Sequence, residues 1–348
     1  MNYWKSYLED NPLGIEPLLK LADRAYRIGC PIMDDADYDE IIGDVEPDID
    51  DNPENDGVAI DLNPPMLSQQ KTYNASDLGA IVKQQYTASL KLDGFAVSLV
   101  YENGVFSYAT TRGKGTEGLT LTNHILAGCL NIPWIIRSEA LCGLMKLEIR
   151  GEMIIPKKFG DEKHNPRSIC VGLFGRDDWT ELEEYEPQFF AYDMIDGTRT
   201  HANKLTLLEQ IGFDVVPWRL GEKDEVEKVI KELEERRANL PVEADGIVFR
   251  INDPVIFHSK GATKHHPKGS IALKFNTDAA ITTVVGIEWS EGEKTGKMTP
   301  IVSVEPVTLG GCEIRKLNGG LIANSLSVGD KIQITRKGGV IPVILAKL

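Results

Sequence analysis

The feature that most constrains the fold is a pair of strand-like segments joined by the short turn Glu102-Asn103-Gly104. Ala96 to Tyr101 and Val105 to Thr111 have the composition and spacing of β-strands. The Asn-Gly pair between them supplies the two positive φ angles that a type I′ turn requires. The sequence therefore predicts an antiparallel β-hairpin over residues 96–111.

The residues before the hairpin are patterned as helices. Apolar side chains recur at the spacing of an amphipathic helix: Ile15, Leu18, Leu19, Ala22, Ala25 and Tyr26. A second helix is predicted to begin near Asp34 or Asp35. The stretch from Glu46 to Asn63 is rich in Asp, Asn and Pro, which is typical of a linker or an exposed loop. We therefore predict the first domain boundary in this stretch.

After the hairpin, strands and helices alternate before the chain becomes all β. Leu147 to Ile155 alternates apolar residues with Glu148, Arg150 and Glu152, so three charged groups share one face of a strand and indicate a polar cleft. Further predicted elements are helices at 204–211 and 226–233 and strands at 246–251 and 270–275. Beyond Asp278, short strands predict a small β-barrel. Glycine pairs separate these strands: Gly310-Gly311, Gly319-Gly320 and Gly338-Gly339.

Composition and charge narrow the function classes. The 348 residues carry a net charge of −15, but residues 1–60 hold 4 Lys/Arg against 16 Asp/Glu, whereas residues 281–348 hold 8 against 6. Only the second end tolerates a polyanion. No apolar run approaches the roughly 18 residues of a membrane span, and the N-terminus lacks a signal-peptide core, so we expect a cytoplasmic protein. The five scattered cysteines form no C-x-x-C pair and are expected to be reduced.

The most pointed chemical motif is Lys91-Leu92-Asp93-Gly94, just before the hairpin. By itself it is weak, because such a tetrapeptide occurs by chance in roughly one chain in ten of this length. A lysine amine attacks phosphorus only when it is neutral, and an ordinary lysine is neutral in roughly one molecule in a few thousand at pH 7. Burial, nearby cations or a metal are needed to lower the pKa of the lysine and so increase its neutral fraction. Arg112, Arg250 and Lys274 are candidate cations.

Two neighbouring motifs have both a functional and an ordinary interpretation. The basic, glycine-rich run from Thr111 to Gly118 suits a ligand-binding loop, but equally a flexible surface turn. Arg150-Gly151-Glu152 places a carboxylate where glycine allows close approach of a ligand, but a solvated charged strand explains it as well. Neither motif decides the function alone.

Together, in order and spacing, these pieces resemble the nucleotidyltransferase motifs of NAD-dependent DNA ligases. The residues that carry the resemblance are Lys91 to Ser98, Tyr101 to Gly104, Thr111-Arg112-Gly113, Arg150-Gly151-Glu152, Asn165-Pro166-Arg167, Phe189 to Tyr192, Asp245 to Val248 and Ala272 to Phe275. The resemblance continues into a segment similar to the family's OB-fold domain, at Thr295-Gly296, Met298 to Pro300, Val304 to Val307, Val328 to Asp330 and Val340 to Pro342.

The resemblance implies an α+β fold in three domains. Residues 1–62 would form a helical domain that binds nicotinamide mononucleotide (NMN), and residues 63–278 an ATP-grasp-like nucleotidyltransferase domain of antiparallel sheets with helices. Residues 279–348 would form the OB-fold barrel. Because the chain stops six residues after Pro342, we expect this barrel to be incomplete.

The resemblance also implies a role for individual residues. Lys91 would carry AMP, with Arg112 and Glu152 on the adenylate and its ribose and Tyr192 near the adenine. Asp93 and Asp245 would act around Mg²⁺, and Lys274 would contact the α-phosphate. Other residues expected at the nucleotide are Ser68, Ser89, Leu90 and Arg250. Nicked double-stranded DNA would be the partner, with Arg167 and Arg176 as contacts.

The N-terminal helices distinguish NAD from ATP as the source of AMP. Tyr26, Asp35, Tyr38 and Asp39 resemble the family's NMN-binding residues, where aromatic rings pack on the nicotinamide and carboxylates suit its positive charge. An ordinary helical hairpin with core tyrosines is the alternative. The position of this block directly before the ligase motifs favours NAD.

Four positions depart from the family pattern: Ser89 stands where Glu is usual, Arg250 where Lys is usual, Arg27 where His is usual and Gly269 where Trp is usual. Arginine and lysine are not equivalent clamps for a ligand. These departures suggest a divergent lineage, such as a viral one, with the nucleophile retained.

The chain is shorter than usual for the family, whose members continue into a zinc finger, helix-hairpin-helix repeats and a BRCT domain. We expect a monomeric minimal ligase, with a fragment or one subunit completed by a second polypeptide as alternatives. Two other functions stay open: another lysine nucleotidyltransferase that uses ATP, and a non-catalytic subunit that binds DNA.

Overall fold

The computed structural model describes residues 3–43, 56–129, 131–137, 145–161, 164–275, 279–291, 298–309, 312–337 and 341–348. The chain divides into two compact units, Met1–Leu273 and Lys274–Leu348. The first unit includes both the predicted helical domain and most of the predicted nucleotidyltransferase domain, and the boundary at residue 62 stays a prediction. Of the predicted linker, residues 46–55 lie outside the described residues, whereas Ala59–Asp61 form a short strand.

The helices are α1 (Tyr3–Asp10), α2 (Ile15–Arg27), α3 (Asp35–Ile42), α4 (Thr122–Gly128), α5 (Pro166–Phe174), α6 (His201–Gln210), α7 (Val226–Ala238) and α8 (Pro254–Lys260). Short 3₁₀ helices lie at Pro12–Gly14, Ala75–Ala80, Lys157–Phe159, Glu183–Tyr185, Lys223–Glu225 and Gly320–Ser325. Both predicted N-terminal helices are confirmed. The side chain of Asp34 caps α3 by accepting from the backbone N–H of Asp37 at 2.7 Å, which explains why the helix begins there.

The strands up to residue 274 are β1 (Ala59–Asp61), β2 (Lys71–Thr72), β3 (Tyr86–Leu92), β4 (Phe95–Glu102), β5 (Val105–Thr111), β6 (Glu117–Leu119), β7 (Lys146–Ile154), β8 (Gln188–Met194), β9 (Trp218–Gly221), β10 (Ala244–Ile251) and β11 (Ser270–Lys274). They form sheets in the orders β5-β4-β7-β8, β2-β11-β10-β3-β9 and β1-β6. The predicted strands and helices of this region are all present, and α6 ends before Gly212, whose φ is 98°.

The predicted hairpin is confirmed in its turn type as well as its position. β4 and β5 pair antiparallel with Glu102 opposite Val105. Asn103 and Gly104 have φ angles of 48° and 80°, the two positive values of a type I′ turn. This local chemistry fixes the register of β4, and β4 in turn pairs with β7, which carries Glu152.

The core of the first unit lies against the β5-β4-β7-β8 sheet and includes the N-terminal helices. Leu18, Leu21 and Ala25 of α2 belong to the same buried cluster as Leu99 of β4 and Phe106 of β5. Burying a leucine or phenylalanine side chain contributes roughly 1.5–3 kcal/mol. The N-terminal helices therefore contribute to the stability of the unit.

The second unit is a closed barrel formed by β12 (Ala280–Glu291), β13 (Met298–Leu309), β14 (Cys312–Asn318), β15 (Lys331–Lys337) and β16 (Ile341–Lys347). The expectation of an incomplete barrel is wrong. The last strand, β16, pairs antiparallel with β15 and parallel with β14, where Asn318 faces Val343. The predicted turns at 310–311 and 338–339, together with Thr295-Gly296 and Val340, lie outside the described residues.

Two further observations concern the described residues alone. None of their helices has the length and the apolar character required to cross a membrane. Cys30, Cys129 and Cys170 are free, and the last two are buried.

Candidate active site

Lys91 lies near the end of β3, in a cleft of the first unit. It pairs with Gly246 of β10, and β10 carries one extra residue, Asp245, between the partners of Lys91 and Leu92. A β-bulge of this kind redirects a side chain. Here Oδ1 of Asp245 lies 3.5 Å from Nζ of Lys91, and both side chains are mostly buried. The bulge therefore brings a carboxylate to the predicted nucleophile.

Two more carboxylates lie near Lys91. Nη1 of Arg167, in the first turn of α5, donates to Oδ1 of Asp93 at 2.9 Å. Burial raises the pKa of Glu152 on β7 to about 7, although the positive charges of Lys91 and Arg167 oppose the shift. The predicted nucleophile thus lies among acidic groups, one of which titrates near neutral pH.

The cleft around these groups has a volume of about 1240 Å³, which is ample for a nucleotide. Its charge is opposite in sign to that of the whole chain. Seven basic side chains line it, against three carboxylates: Lys71, Lys91, Arg112, Arg150, Arg167, Lys204 and Arg250, against Glu152, Asp193 and Asp196. A positive cleft in an acidic protein concentrates anionic ligands at one place.

A second β-bulge lies in β8. Arg150 and Gly151 of β7 pair with Asp193 and Ala191, so Tyr192 is the extra residue. Tyr192 and Asp193 consequently both line the cleft, whereas neighbours in a regular strand point to opposite faces. Burial raises the pKa of Tyr192 above its usual range, so the ring stays neutral and is suited to stacking on a base.

Arg150 forms part of the cleft wall and is held by contacts within the protein. Its Nε donates to Oε1 of Glu148 at 2.7 Å. Its Nη1 donates to the carbonyl oxygen of Pro65 at 3.0 Å, and its Nη2 donates to that of Pro64. Since both prolines also line the cleft, Arg150 fixes one of its edges. The predicted charged face of this strand is therefore a wall of the cleft.

A cluster of buried charges occupies another part of the cleft. Nη1 of Arg250 donates to Oδ2 of Asp193 at 2.6 Å, and Nζ of Lys204 lies 3.5 Å from the other carboxylate oxygen. Burial raises the pKa of Asp193, but the charges of Arg250 and Lys204 outweigh it and hold the pKa below its ordinary value. Burial, followed by the charge of Arg250, lowers the pKa of His201 to about 3, so this histidine is neutral at pH 7.

A model of the family described as the NAD-dependent DNA ligase adenylation domain matches residues 58–278, well over half of the chain. The chain belongs to this family. The match begins just before β1 and ends after β11, so it includes every residue of the cleft described above.

Curated relatives agree with the family. A DNA ligase of Acinetobacter baumannii (strain AYE) is 31% identical over an alignment of 314 residues, and the match covers 80% of this chain and 46% of that protein. A DNA ligase of Sulfurihydrogenibium sp. (strain YO3AOP1) is 29% identical and covers 81% of this chain and 45% of its own length. The chain thus spans less than half the length of these relatives. A solved structure from a study of Lig E DNA ligases is 19% identical, covers 81% of this chain and 98% of its own, and has a TM-score of 0.44.

The fold brings most of the predicted ligase residues together. Those that line the cleft are Ser68, Ser89, Leu90, Lys91, Arg112, Glu152, Arg167, Tyr192 and Arg250. Asp93 and Asp245 contact Arg167 and Lys91 from this set. Their neighbours Asp193, His201 and Lys204 are not predicted by the sequence, and only the position of Asp193 directly after the Phe189 to Tyr192 motif hints at one of them.

The predicted NMN-binding residues lie on the N-terminal helices and are not among the described residues that line the cleft. Tyr26 is 65% exposed on α2, and Tyr38 is half-buried on α3. Burial, together with the charge of Asp23, raises the pKa of Tyr38. Asp35 and Asp39 are exposed on α3. The NMN-binding role of these four residues stays a prediction.

Two other predicted residues also lie outside the cleft lining. Arg176 follows α5 and its Nη1 donates to Oε2 of Glu181 at 2.7 Å on the surface. Lys274 is buried at the end of β11 and is the first residue of the second unit. The contacts predicted for them, with DNA and with the α-phosphate, stay predictions.

The acidic residues near Lys91 fit a metal that arrives with a nucleotide. Within the described ranges, no group of three or more His, Cys, Asp and Glu side chains is arranged to hold a metal ion. Mg²⁺, however, commonly uses one or two carboxylates and completes its shell with substrate phosphates and water. Asp93 and Asp245 are two such carboxylates.

Proposed function

We propose that the chain is an NAD-dependent DNA ligase in which Lys91 carries AMP. The observation that carries the proposal is the position of Lys91: it lies in a positive cleft beside Asp245, within the stretch that matches the ligase adenylation domain. The substrate of the first step is NAD, and that of the later steps is nicked double-stranded DNA. A monomeric state and a cytoplasmic location stay predictions.

In the first step, Nζ of Lys91 attacks the phosphorus of the AMP half of NAD. An N–P bond forms, the P–O bond of the pyrophosphate breaks, and NMN leaves with the electron pair. The amine must lose a proton, and Asp245, at 3.5 Å, is close enough to receive it. In the second step the AMP moves to the 5′-phosphate at the nick, and in the third the 3′-hydroxyl displaces AMP and seals the strand.

The cleft residues would hold the adenylate during these steps. Tyr192 presents a neutral ring to the base, and Arg112 supplies a positive charge at the exposed end of β5. Glu152 would accept hydrogen bonds from the ribose. Ser68, Ser89, Leu90 and Arg250 line the remaining wall. When bound, Mg²⁺ would be held by Asp93 and Asp245 and would stabilise charge on the phosphate oxygens.

The N-terminal helices would provide the NMN half of the site. Tyr26, Asp35, Tyr38 and Asp39 lie on α2 and α3, which pack in the same unit as the cleft. Aromatic rings and carboxylates suit the cationic nicotinamide ring. Of the predicted DNA contacts, Arg167 lies in the cleft, where its partner Asp93 links it to the reaction centre.

Intact-protein mass after incubation with Mg²⁺ and either NAD or ATP tests this function. We expect the wild type to gain one AMP from NAD but not from ATP, and Lys91→Ala to gain none, because the substitution removes the amine that attacks phosphorus. Lys158→Ala, which removes an exposed lysine paired with Glu186, is the matched control and should gain AMP normally.

The same sample then receives nicked duplex DNA. Loss of AMP from the protein together with a sealed strand would support the complete reaction. Equal labelling from ATP would instead show an ATP-dependent nucleotidyltransferase. Absence of labelling from both nucleotides, with retained binding of nicked duplex, would show a non-catalytic role.

A further inference from the structure

Arg250 lines the nucleotide wall in the scheme above, but the buried charged and polar side chains around it, Asp193, His201 and Lys204, have no role there. Asp193 comes from β8, Lys204 and His201 from α6, and Arg250 from β10. All four side chains line the cleft. The cluster is built from three separate elements, yet its groups meet at hydrogen-bond or ion-pair distances.

The cluster has one positive charge more than it has negative charges. Asp193 is its single carboxylate, against the guanidinium of Arg250 and the ammonium of Lys204. His201 adds no charge, because burial lowers its pKa to about 3. In the neutral ring, Nε2–H donates to the carbonyl of Tyr192 at 3.0 Å, and Nδ1 accepts from the hydroxyl of Thr87 at 2.6 Å. An uncompensated buried cation is costly, so a ligand that accepts hydrogen bonds would stabilise this arrangement.

The neighbouring ion pairs do not remove this excess. Arg150 is paired with Glu148, and Arg199 with Asp196, so each pair is neutral. The excess positive charge therefore stays with Arg250 and Lys204, on the side that lines the cleft.

Arg250 has hydrogen-bond donors to spare but little freedom to move. Asp193 engages its Nη1, and the guanidinium carbon lies 4.2 Å from the ring centre of Phe257. Its Nε has no hydrogen-bond acceptor among the described residues but is itself buried, so the N–H groups left for a ligand are those of Nη1 and Nη2. The guanidinium is planar, and contacts with Asp193 at one edge and with the Phe257 ring on one face fix its orientation. A lysine ammonium at this position would keep two further N–H groups but would lack the fixed planar direction of the guanidinium.

We propose that Asp193 is a positioning residue, which holds Arg250 so that the remaining N–H groups bind an acceptor on AMP. The inference rests on the proposed function, because it takes the adenylate to be the occupant of the cleft. Arg250 pairs with Thr87, four residues from Lys91 along β3, or about 13 Å. A nucleotide joined to Lys91 extends toward this cluster, and the acceptor is either a nitrogen of the base or an oxygen of the phosphate.

Calorimetric binding of AMP tests the inference with Asp193→Asn, Arg250→Ala and the double variant. We expect Asp193→Asn to weaken AMP binding about tenfold and Arg250→Ala at least as much, as for loss of a charge-assisted hydrogen bond. The double variant should bind no more weakly than Arg250→Ala, because Asp193 acts through Arg250. Additive losses, or normal binding by Asp193→Asn, would overturn the inference.

Adenosine separates the two possible acceptors. If Arg250 binds the base, Asp193→Asn weakens adenosine binding as much as AMP binding. If Arg250 binds the phosphate, adenosine binding is unchanged by the substitution. In adenylylation by NAD, a positioning role of this kind should raise KM about tenfold and leave kcat within about twofold, whereas a general loss of structure would lower kcat.

Two further variants keep the result interpretable. Glu232→Gln removes the carboxylate partner of Arg219 outside the cleft and should bind AMP like the wild type. Arg250→Lys retains the charge and the pairing with Asp193, so it should fold even if Asp193→Asn does not, and we expect it to bind AMP about tenfold more weakly. AMP binding equal to that of arginine would refute the inference.

The two proposals fail in different ways. If NAD fails to label a wild-type protein that still binds AMP, the proposed function is wrong, and the binding series still decides the role of Asp193. If NAD labels both the wild type and Asp193→Asn with the same KM, only the inference is wrong. A wild-type protein that binds neither AMP nor adenosine would also overturn the inference about Asp193.

Discussion

The two ends of the cleft are built in different ways. At one end, the side chains of Lys91 and Asp245 are 21% and 22% exposed, and their ion pair is long, at 3.5 Å. At the other end, Arg250 and Asp193 are 2.6 Å apart within a buried cluster. A nucleophile that takes up a group and then releases it must be able to leave its partners, whereas a binding group gains from being fixed. We therefore expect substitutions at the Lys91 end to change mainly the rate of adenylylation, and substitutions at the Arg250 end to change mainly the affinity for AMP.

Replacing Asp245 by Asn gives the largest expected effect and tests the Lys91 end. The amide keeps the shape of the side chain but cannot accept the proton of Lys91 or hold its charge. We expect adenylylation by NAD to slow about a hundredfold, as for loss of a general base, while AMP binding changes less than threefold. Single-turnover labelling and calorimetry measure the two quantities. A larger effect on AMP binding than on rate would break the division between the two ends.

Glu152→Gln gives a smaller effect, on stability, and tests whether the Lys91 end is under electrostatic strain. Burial raises the pKa of Glu152 from 4.5 to about 7, so its protonated form favours folding. That contribution is complete below the unfolded-state value of about 4.5 and is lost as the pH rises through about 7. The wild type should therefore lose about 2 kcal/mol relative to Glu152→Gln between about pH 5 and pH 8, after allowance for partial exposure.

Denaturant unfolding of both proteins across this pH range measures that difference. The difference should grow steadily with pH and level off above about pH 8. If the stabilities of the wild type and Glu152→Gln change in parallel with pH, Glu152 has the same pKa in the folded and unfolded states, and the prediction is wrong.

The sequence predicts best what depends on neighbouring residues. The Asn103-Gly104 turn, the start of α3 near Asp34 and the end of α6 before Gly212 follow from local chemistry and are confirmed. Closure of the barrel is different, because the parallel contact between Asn318 and Val343 joins strands that are not consecutive. The expectation of a missing strand therefore failed at a long-range contact.

The same division applies to the site. The sequence predicts Lys91, Glu152 and Tyr192 because each belongs to a contiguous motif. The bulges that aim Asp245 and Tyr192 into the cleft are visible only in the pairing of strands. Asp193, His201 and Lys204 come from separate elements, and no local pattern joins them to Arg250 on β10. A buried network of this kind can be recognised only when the fold is known.

Thr87→Val gives the smallest expected effect and tests how far the Arg250 end extends. Valine has nearly the shape of threonine but cannot donate to Nδ1 of His201, a bond of 2.6 Å between two buried side chains. Leaving that nitrogen without a donor should cost about 1–2 kcal/mol of stability, measured by denaturant unfolding. AMP binding should stay within about twofold, because the contact between Asp193 and Arg250 is untouched. If AMP binding instead falls as far as in Asp193→Asn, His201 belongs to the group that fixes Arg250, and the rigid end of the cleft extends through Thr87 into the strand that carries Lys91.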